Sequence, residues 1–248
     1  MLGIIGGSGL TQLANLEITH RQVIRTPYGD PSGALTFGRI NERNVVFLAR
    51  HGYGHTIAPH RVNYRANLWA LHAQNVTDVV SIATVGGIAA DLIPGSLVVP
   101  DQIIDYTHGR ANTFMEEEGR AVTHVDFTWP YAERMRQLCM QALRDAGEAY
   151  VASGTYGAVQ GPRLETAAEI TRMERDGASM VGMTGMPEAV LARELDMQYA
   201  ALCVVANYAA GRGDSDKGIS YQQVGEVLDS AMVRVRRVLE HLVQLHAD

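Results

Sequence analysis

The sequence predicts a single α/β domain over residues 1–248, with a central, largely parallel β-sheet flanked by helices. Two observations predict it. Short apolar runs bounded by Gly, Pro or Asn alternate with longer segments whose apolar residues recur at helical spacing. The short runs are also predominantly apolar and rich in β-branched residues, as in strands covered on both faces. In chain order, residues 2–5 and 45–48 read as buried strands, each closing on a glycine-containing loop. Residues 61–75 read as a helix through Val62, Ala66, Trp69 and Ala70. Strands follow at 79–83 and 97–104, then helices at 131–146, 167–176 and 187–195. A strand at 200–206 precedes a last helix, 221–246. There Val227, Leu228, Ala231, Val235, Val238, Leu239 and Leu242 form one apolar stripe. No linker or internal repeat divides the chain.

Composition excludes several function classes. The 248 residues are 46% hydrophobic and 19% charged, an ordinary globular balance, with a formal net charge of −6. No basic excess exists to displace counterions from a phosphate backbone, so no nucleic-acid partner is expected. Cys139 and Cys203 sit in apolar segments without C-x-x-C spacing and read as reduced core thiols of a cytoplasmic protein. Met1 leads into Leu-Gly-Ile-Ile without a basic n-region, and no apolar run approaches the roughly 20 residues of a membrane span. Neither secretion nor membrane insertion is expected. The 25 glycines, without a repeat, suggest backbone approaching a ligand at several loops.

Those loops carry the chemistry. Gly6-Gly7-Ser8-Gly9, Ala49-Arg50-His51-Gly52, Thr84-Val85-Gly86-Gly87, Gly182-Met183-Thr184-Gly185 and Ala206-Asn207-Tyr208-Ala209 each place polar residues near glycine or a small residue at a strand end, where α/β sheets bind ligands. The first loop lacks the third glycine of a dinucleotide fingerprint, since Gln12 stands there, and no P-loop or nucleophile elbow is present. What remains is a turn whose amides and Ser8 hydroxyl suit an anion, or a plain tight turn. Arg50-His51 offers a planar fork of donors and an imidazole, which suits phosphate but also an ordinary surface. His51, His55 and His60 raise a metal question. Gly52, Gly54 and Pro59 interrupt the segment and no thiolate or carboxylate accompanies it, so no metal is expected. Glu165 reads either as an acid favoured at a helix N-terminus or as a ligand-facing group. Asn207 at a strand mouth can donate and accept, which suits a heterocycle edge. Met183 is core material by default, or a cover for a sugar face.

Read in order, these segments resemble the low-mass purine nucleoside phosphorylase and methylthioadenosine phosphorylase family. The likeness rests on Ile4-Ile5-Gly6-Gly7-Ser8-Gly9-Leu10, Leu48-Ala49-Arg50-His51-Gly52, Val62-Asn63-Tyr64-Arg65-Ala66-Asn67-Leu68-Trp69-Ala70-Leu71, Gly161-Pro162-Arg163 and Gly182-Met183-Thr184-Gly185-Met186-Pro187-Glu188. The resemblance implies the nucleoside phosphorylase fold, with a mixed sheet, and a homotrimer with sites near subunit interfaces. It implies phosphorolysis without a cofactor, inorganic phosphate being a co-substrate that attacks the anomeric carbon. Phosphate would be held by Ser8, Arg50, His51, the Ala83-Thr84 segment and Thr184, and ribose by Met183. Asn207 would donate to the leaving purine, with Glu165 and Ala209 completing the base site.

The family's specificity residues point to an unusual combination. Methylthioadenosine phosphorylases have Asp where Asn207 and Ala209 stand and Ser where Glu165 stands. An amide donor and a carboxylate suit a 6-oxopurine, whose O6 accepts and whose N1–H donates. At the other end, inosine and guanosine phosphorylases place a His where Tyr221 stands, and nearby Val224 is apolar. This suits a methylthio group better than a hydroxyl, although Tyr221 could also simply pack the last helix. His124 matches a residue that a neighbouring subunit contributes near the 5′ end. The expected substrate is therefore 5′-methylthioinosine. A general inosine/guanosine phosphorylase and a methylthioadenosine phosphorylase are the alternatives. Loss of the phosphate donors would mark a non-catalytic scaffold, and Ser8, Arg50, His51 and Thr184 are all present.

Overall fold

The computed structural model describes residues 1–116 and 122–246. The chain opens with β1 (Leu2–Gly6), followed by β2 (Glu17–Gln22), β3 (Leu35–Ile40) and β4 (Arg43–Ala49). Helix α1 (Tyr64–His72) leads into β5 (Asp78–Gly87), then β6 (Leu97–Val98) and β7 (Gln102–Asp105). Next come α2 (Glu133–Asp145), β8 (Thr155–Ala158), α3 (Ala167–Asp176) and β9 (Met180–Gly182). The chain ends with α4 (Gly185–Glu194), β10 (Gln198–Tyr208) and α5 (Tyr221–His246).

The strands follow the path β2-β3-β4-β1-β5-β9-β8-β7, with β10 along the opposite edge of β5 and β6 beyond it. The centre is parallel, as expected: β1 pairs with β4 and β5, and β10 with β5. Antiparallel pairs lie mostly at the margins, which makes the sheet mixed. Apolar runs become strands because neighbouring residues enter different cores. Ala200, Leu202 and Val204 join one cluster with α2 and α5, whereas Ala201, Cys203 and Val205 join another with α1 and α4. The stripe of α5 is buried from Ala231 onward, while Val227 and Leu228 are half-exposed, so its first turns overhang the sheet.

Several expectations need correction. The strand expected over 97–104 is two: Pro100 supplies no ladder donor, and β6 pairs with β10 while β7 pairs with β8. The helix expected over 61–75 starts after Asn63, whose side chain accepts from the Ala66 amide, and Arg61 ends a 3₁₀ turn instead. Strands β2, β3, β8 and β9 were not foreseen. Every residue of β2 is exposed, so it carries no apolar signal, and β9 is three residues long. Among the described residues no helix is long and apolar enough to cross a membrane.

Cys139 and Cys203 are free and fully buried, and burial pushes each thiol up to about 12. A thiol reagent is therefore expected to label neither cysteine in the native protein at neutral pH and both after denaturation. Fast native labelling of either would contradict this packing.

Candidate active site

Strands β1 and β9 approach the same edge of β5 from opposite directions. β1 pairs with it as far as Ser81, running parallel, and β9 pairs antiparallel at Gly86 and Gly87. Residues 82–85 of β5 lie between them, with no described strand on that edge. The carboxyl ends of β1 and β9 therefore point at each other across a break in the sheet. Such a switch point is where α/β sheets admit ligands. A cavity of about 490 Å³ opens there, lined by Ser8 after β1, Thr84 on β5 and Thr184 after β9. Thr84 Oγ1 donates to the Ser8 carbonyl (3.3 Å), and the Thr184 amide donates to the Tyr156 hydroxyl (3.3 Å). Three hydroxyls, one after β1, one on β5 and one after β9, thus line the same cavity, a donor set suited to an oxyanion. Ala83 differs: its side chain belongs to a buried apolar cluster and is not in the cavity wall.

Arg50 also lines this cavity but is not a free cation. It is 1% exposed, and its Nε and Nη2 donate to Glu188 Oε2 (2.6 Å) and Oε1 (2.9 Å). Nη2 also donates to Ser81 Oγ, and Nη1 to the Ile82 carbonyl (3.2 Å). Glu188 Oε1 accepts further bonds from Ser81 (2.5 Å) and Tyr199 (2.8 Å). Burial disfavours both charges. Their attraction and the hydrogen bonds outweigh it, holding Glu188 below and Arg50 above their ordinary ranges. The positive charge of Arg50 is consequently balanced, leaving one N–H of Nη1 uncommitted. Gly7 makes room for it, since a Cβ there would sit 2.9 Å from Nη1 and 2.5 Å from the Ile82 carbonyl.

His51 Nδ1 meets the Ile57 carbonyl at 2.8 Å and so carries the proton, leaving Nε2 as an acceptor in the neutral ring. Burial first, then the Arg50 charge, pushes its value down to about 4. His55, set aside with the metal question, stands in the cavity wall: its ring is 4.7 Å from that of His51, and its Nε2 is 3.5 Å from Ser8 Oγ. A turn, not a helix, brings the two rings together. His60 is exposed and outside the wall.

The remaining lining residues are of two kinds, polar and apolar. Glu165 and Asn207 both line the cavity. The N-terminus of α3 is capped by Thr166 and Glu169 reciprocally (3.1 and 2.8 Å), so Glu165 is not needed there. Glu165 is half-buried, and burial raises its carboxyl above the usual range. Asn207 follows a β-bulge opposite Gly86, and its Nδ2 donates to the Tyr208 carbonyl (2.6 Å). That bond fixes the amide, leaving one N–H and Oδ1. Ala209 adds a buried methyl and Met183 a half-buried thioether. Ile219, Tyr221 and Val224 also line the cavity, and of these Ile219 was not foreseen. Tyr221 is 76% exposed, so it does not pack the last helix. His124 is exposed and outside this chain's cavity wall.

Residues 1–244 match the family described as the phosphorylase superfamily. A probable S-methyl-5′-thioinosine phosphorylase of Xanthomonas campestris is 51% identical over 93% of this chain and 92% of its own length. A 6-oxopurine nucleoside phosphorylase of Pyrococcus furiosus is 43% identical over 92% of this chain and 86% of its own. A solved methylthioadenosine phosphorylase of Schistosoma mansoni, in complex with adenine, superposes with a TM-score of 0.95 at 32% identity. That match covers 99% of this chain and 91% of the solved one.

Two outcomes follow from the buried groups. The ring of His51 is expected to titrate near pH 4 by NMR. The unfolded chain takes that proton near 6.5. The contribution of His51 to stability is thus complete above about pH 6.5 and lost as pH falls towards 4; a midpoint at 6 or above contradicts this. Glu188→Gln leaves Arg50 charged, buried and under-paired, and is expected to cost about 3–5 kcal/mol in urea unfolding. A loss below about 1 kcal/mol, the range of an exposed pair, refutes the account.

Proposed function

The chain belongs to the phosphorylase superfamily, and from that premise we propose that it cleaves S-methyl-5′-thioinosine with inorganic phosphate. The products are hypoxanthine and 5-(methylthio)ribose 1-phosphate. The observation that carries the reading is one cavity lined by three chemically distinct sets of residues. They are the hydroxyls of Ser8, Thr84 and Thr184, the amide of Asn207 with the carboxylate of Glu165, and the apolar Ile219 and Val224 with Tyr221.

Phosphate lies against Ser8, Thr84, Thr184 and the remaining N–H of Arg50. Neutral His51 contributes an acceptor for the proton of a monohydrogen phosphate. A phosphate oxygen attacks C1′ as the C1′–N9 bond breaks, and the electron pair leaves with the purine. The purine takes up one proton from solvent to become hypoxanthine, while the phosphate gives up one. Phosphate is the nucleophile, so the protein supplies position and charge stabilisation. The free N–H of Asn207 donates toward the O6 and N7 side of the base, where negative charge develops. Glu165 accepts from N1–H, which hypoxanthine has and adenine lacks. Met183 covers the sugar, and Ile219, Tyr221 and Val224 receive the methylthio group.

As the finer part of this reading, the chain acts as one domain in a cytoplasmic homotrimer, without a cofactor. In it a neighbouring subunit brings His124 to the open 5′ end. Such an enzyme serves purine and methylthio-nucleoside salvage, its substrate arising by deamination of a 6-aminopurine nucleoside.

Steady-state rates with phosphate on methylthioinosine, inosine and methylthioadenosine test the reading. Methylthioinosine is expected to have the highest kcat/KM. Preference for inosine would overturn the Tyr221 assignment, and preference for methylthioadenosine the Glu165 and Asn207 assignments. Release of hypoxanthine without phosphate would identify a hydrolase. Asn207→Asp places a carboxylate against the Tyr208 carbonyl and removes the donor. It is expected to lower kcat/KM on the 6-oxopurine by about 100-fold and to shift preference towards the 6-amino base. Unchanged selectivity refutes the donor role.

A further inference from the structure

We propose that Arg110 is a positioning residue that holds the base wall and the sugar wall of the cavity at a fixed separation; its link to turnover rests on the phosphorolysis reading above. Strands β8 and β9 run parallel, and their last paired residues are Ala158 and Gly182. One further backbone bond joins the chains, from the Val159 amide to the Gly182 carbonyl (2.8 Å). Beyond it they diverge, one towards Glu165 and the other through Met183 and Thr184. Both segments line the cavity, and Arg110 does not.

Its guanidinium occupies the place where the ladder stops. Nη2 donates to the carbonyls of Val159 (3.1 Å) and Gln160 (2.8 Å) on the base side. Nη1 donates to the carbonyls of Met183 (2.8 Å) and Met186 (2.6 Å) on the sugar side, with the Tyr64 hydroxyl at 3.3 Å. Nε donates to Gln160 Oε1 (3.0 Å), and the cation lies over the Tyr64 ring. Five N–H groups thus face six acceptors, leaving no spare donor for a ligand. Arg110 joins two diverging backbones as a strand would, but with side-chain donors. The walls it joins are in close contact, because a Cβ at Gly161 would stand 2.4 Å from Met183 Sδ. A small shift of one wall therefore moves Glu165 relative to the sugar.

Arg110→Lys tests this, since it keeps the charge but replaces a planar fork by a compact ammonium with three donors. In the ligand-free protein, hydrogen–deuterium exchange is expected to accelerate in peptides spanning 159–165 and 183–187 and to stay unchanged in β1 and β10. In turnover, kcat/KM for the preferred nucleoside is expected to fall about 10- to 100-fold. Most of that loss should appear as a raised nucleoside KM, with the phosphate KM changed less and the preference for 6-oxo over 6-amino bases reduced. Unchanged exchange in both peptides overturns the proposal. So does an equal loss for every nucleoside with its preference intact, which marks a merely structural role. A wild-type protein inactive on all purine nucleosides refutes the functional reading, while the exchange experiment still decides whether Arg110 holds the walls. Should Arg110→Lys fail to fold, Gln160→Leu removes one of the six acceptors. It is expected to change the same two peptides to a smaller extent; no change there overturns the proposal equally.

Discussion

The buried pair of Arg50 and Glu188 is the constraint on which the site depends. Arg50 follows β4 and Glu188 lies on α4, while Ser81 on β5 and Tyr199 on β10 satisfy the remaining lone pairs. One charged knot thus fixes three strands and a helix under the cavity floor. Taking both ions out of water costs several kcal/mol each, and their attraction roughly offsets that cost. The gain is therefore placement more than stability. The floor of the anion end is electrostatically balanced, so an oxyanion there meets short-range donors on fixed backbone. The acidic net charge of the chain is no obstacle to such binding, because those donors act over one hydrogen-bond length.

Much of the fold was legible because burial on both faces leaves an unmistakable trace. The runs at 2–5, 45–48, 79–83 and 200–206 are apolar but for Ser81, and each lies within a strand. Where burial stops, the signal stops: β2 is exposed along its length, and β8 and β9 are too short and glycine-containing to show a period. The site was legible in a different way. Ser8, His51, Thr84, Thr184, Glu165 and Asn207 were found because each stands beside glycine, at a strand end or in the family's motifs, and the structure brings all six to one cavity. The pairing of Arg50 with Glu188 spans 138 residues, and the reach of Arg110 to Met183 spans 73. No local pattern encodes such partners. Glu188 carries no mark of burial in a sequence, and Arg110 looks like any loop arginine until its acceptors are seen.

The base wall shows how a neutral residue can be made directional. A free asparagine amide presents donors and an acceptor interchangeably by rotation. Here Nδ2 is held by the Tyr208 carbonyl, next along the chain after a bulge, so the remaining N–H has one direction. Glu165 works oppositely. Burial raises its carboxyl, so its charged form is costly until a donor arrives. An N1–H supplies that donor, and an unprotonated N1 would meet the carboxylate lone pair to lone pair. Discrimination on this reading comes from leaving a buried polar group unpaired with the wrong base, which costs more than a lost contact.

The two kinds of lining residue differ in packing for a reason set by the sheet. The hydroxyls stand on or beside β1, β5 and β9, whose apolar residues fill the cores. The apolar ones are Ile219 and those on the first turns of α5, which extend past the sheet before burial begins at Ala231. Tyr221, at 76% exposure, has no packing from its own chain that covers it. An apolar 5′ substituent placed there keeps one side in water and gains little of the roughly 25 cal/mol per Å² that full burial supplies. Selectivity for a methylthio group over a hydroxyl therefore requires a second surface over these residues. On the proposed trimer the neighbouring subunit, with His124, provides it. On the proposed function and trimer, one chain's sheet places the reacting groups and the contact between two chains sets 5′ specificity.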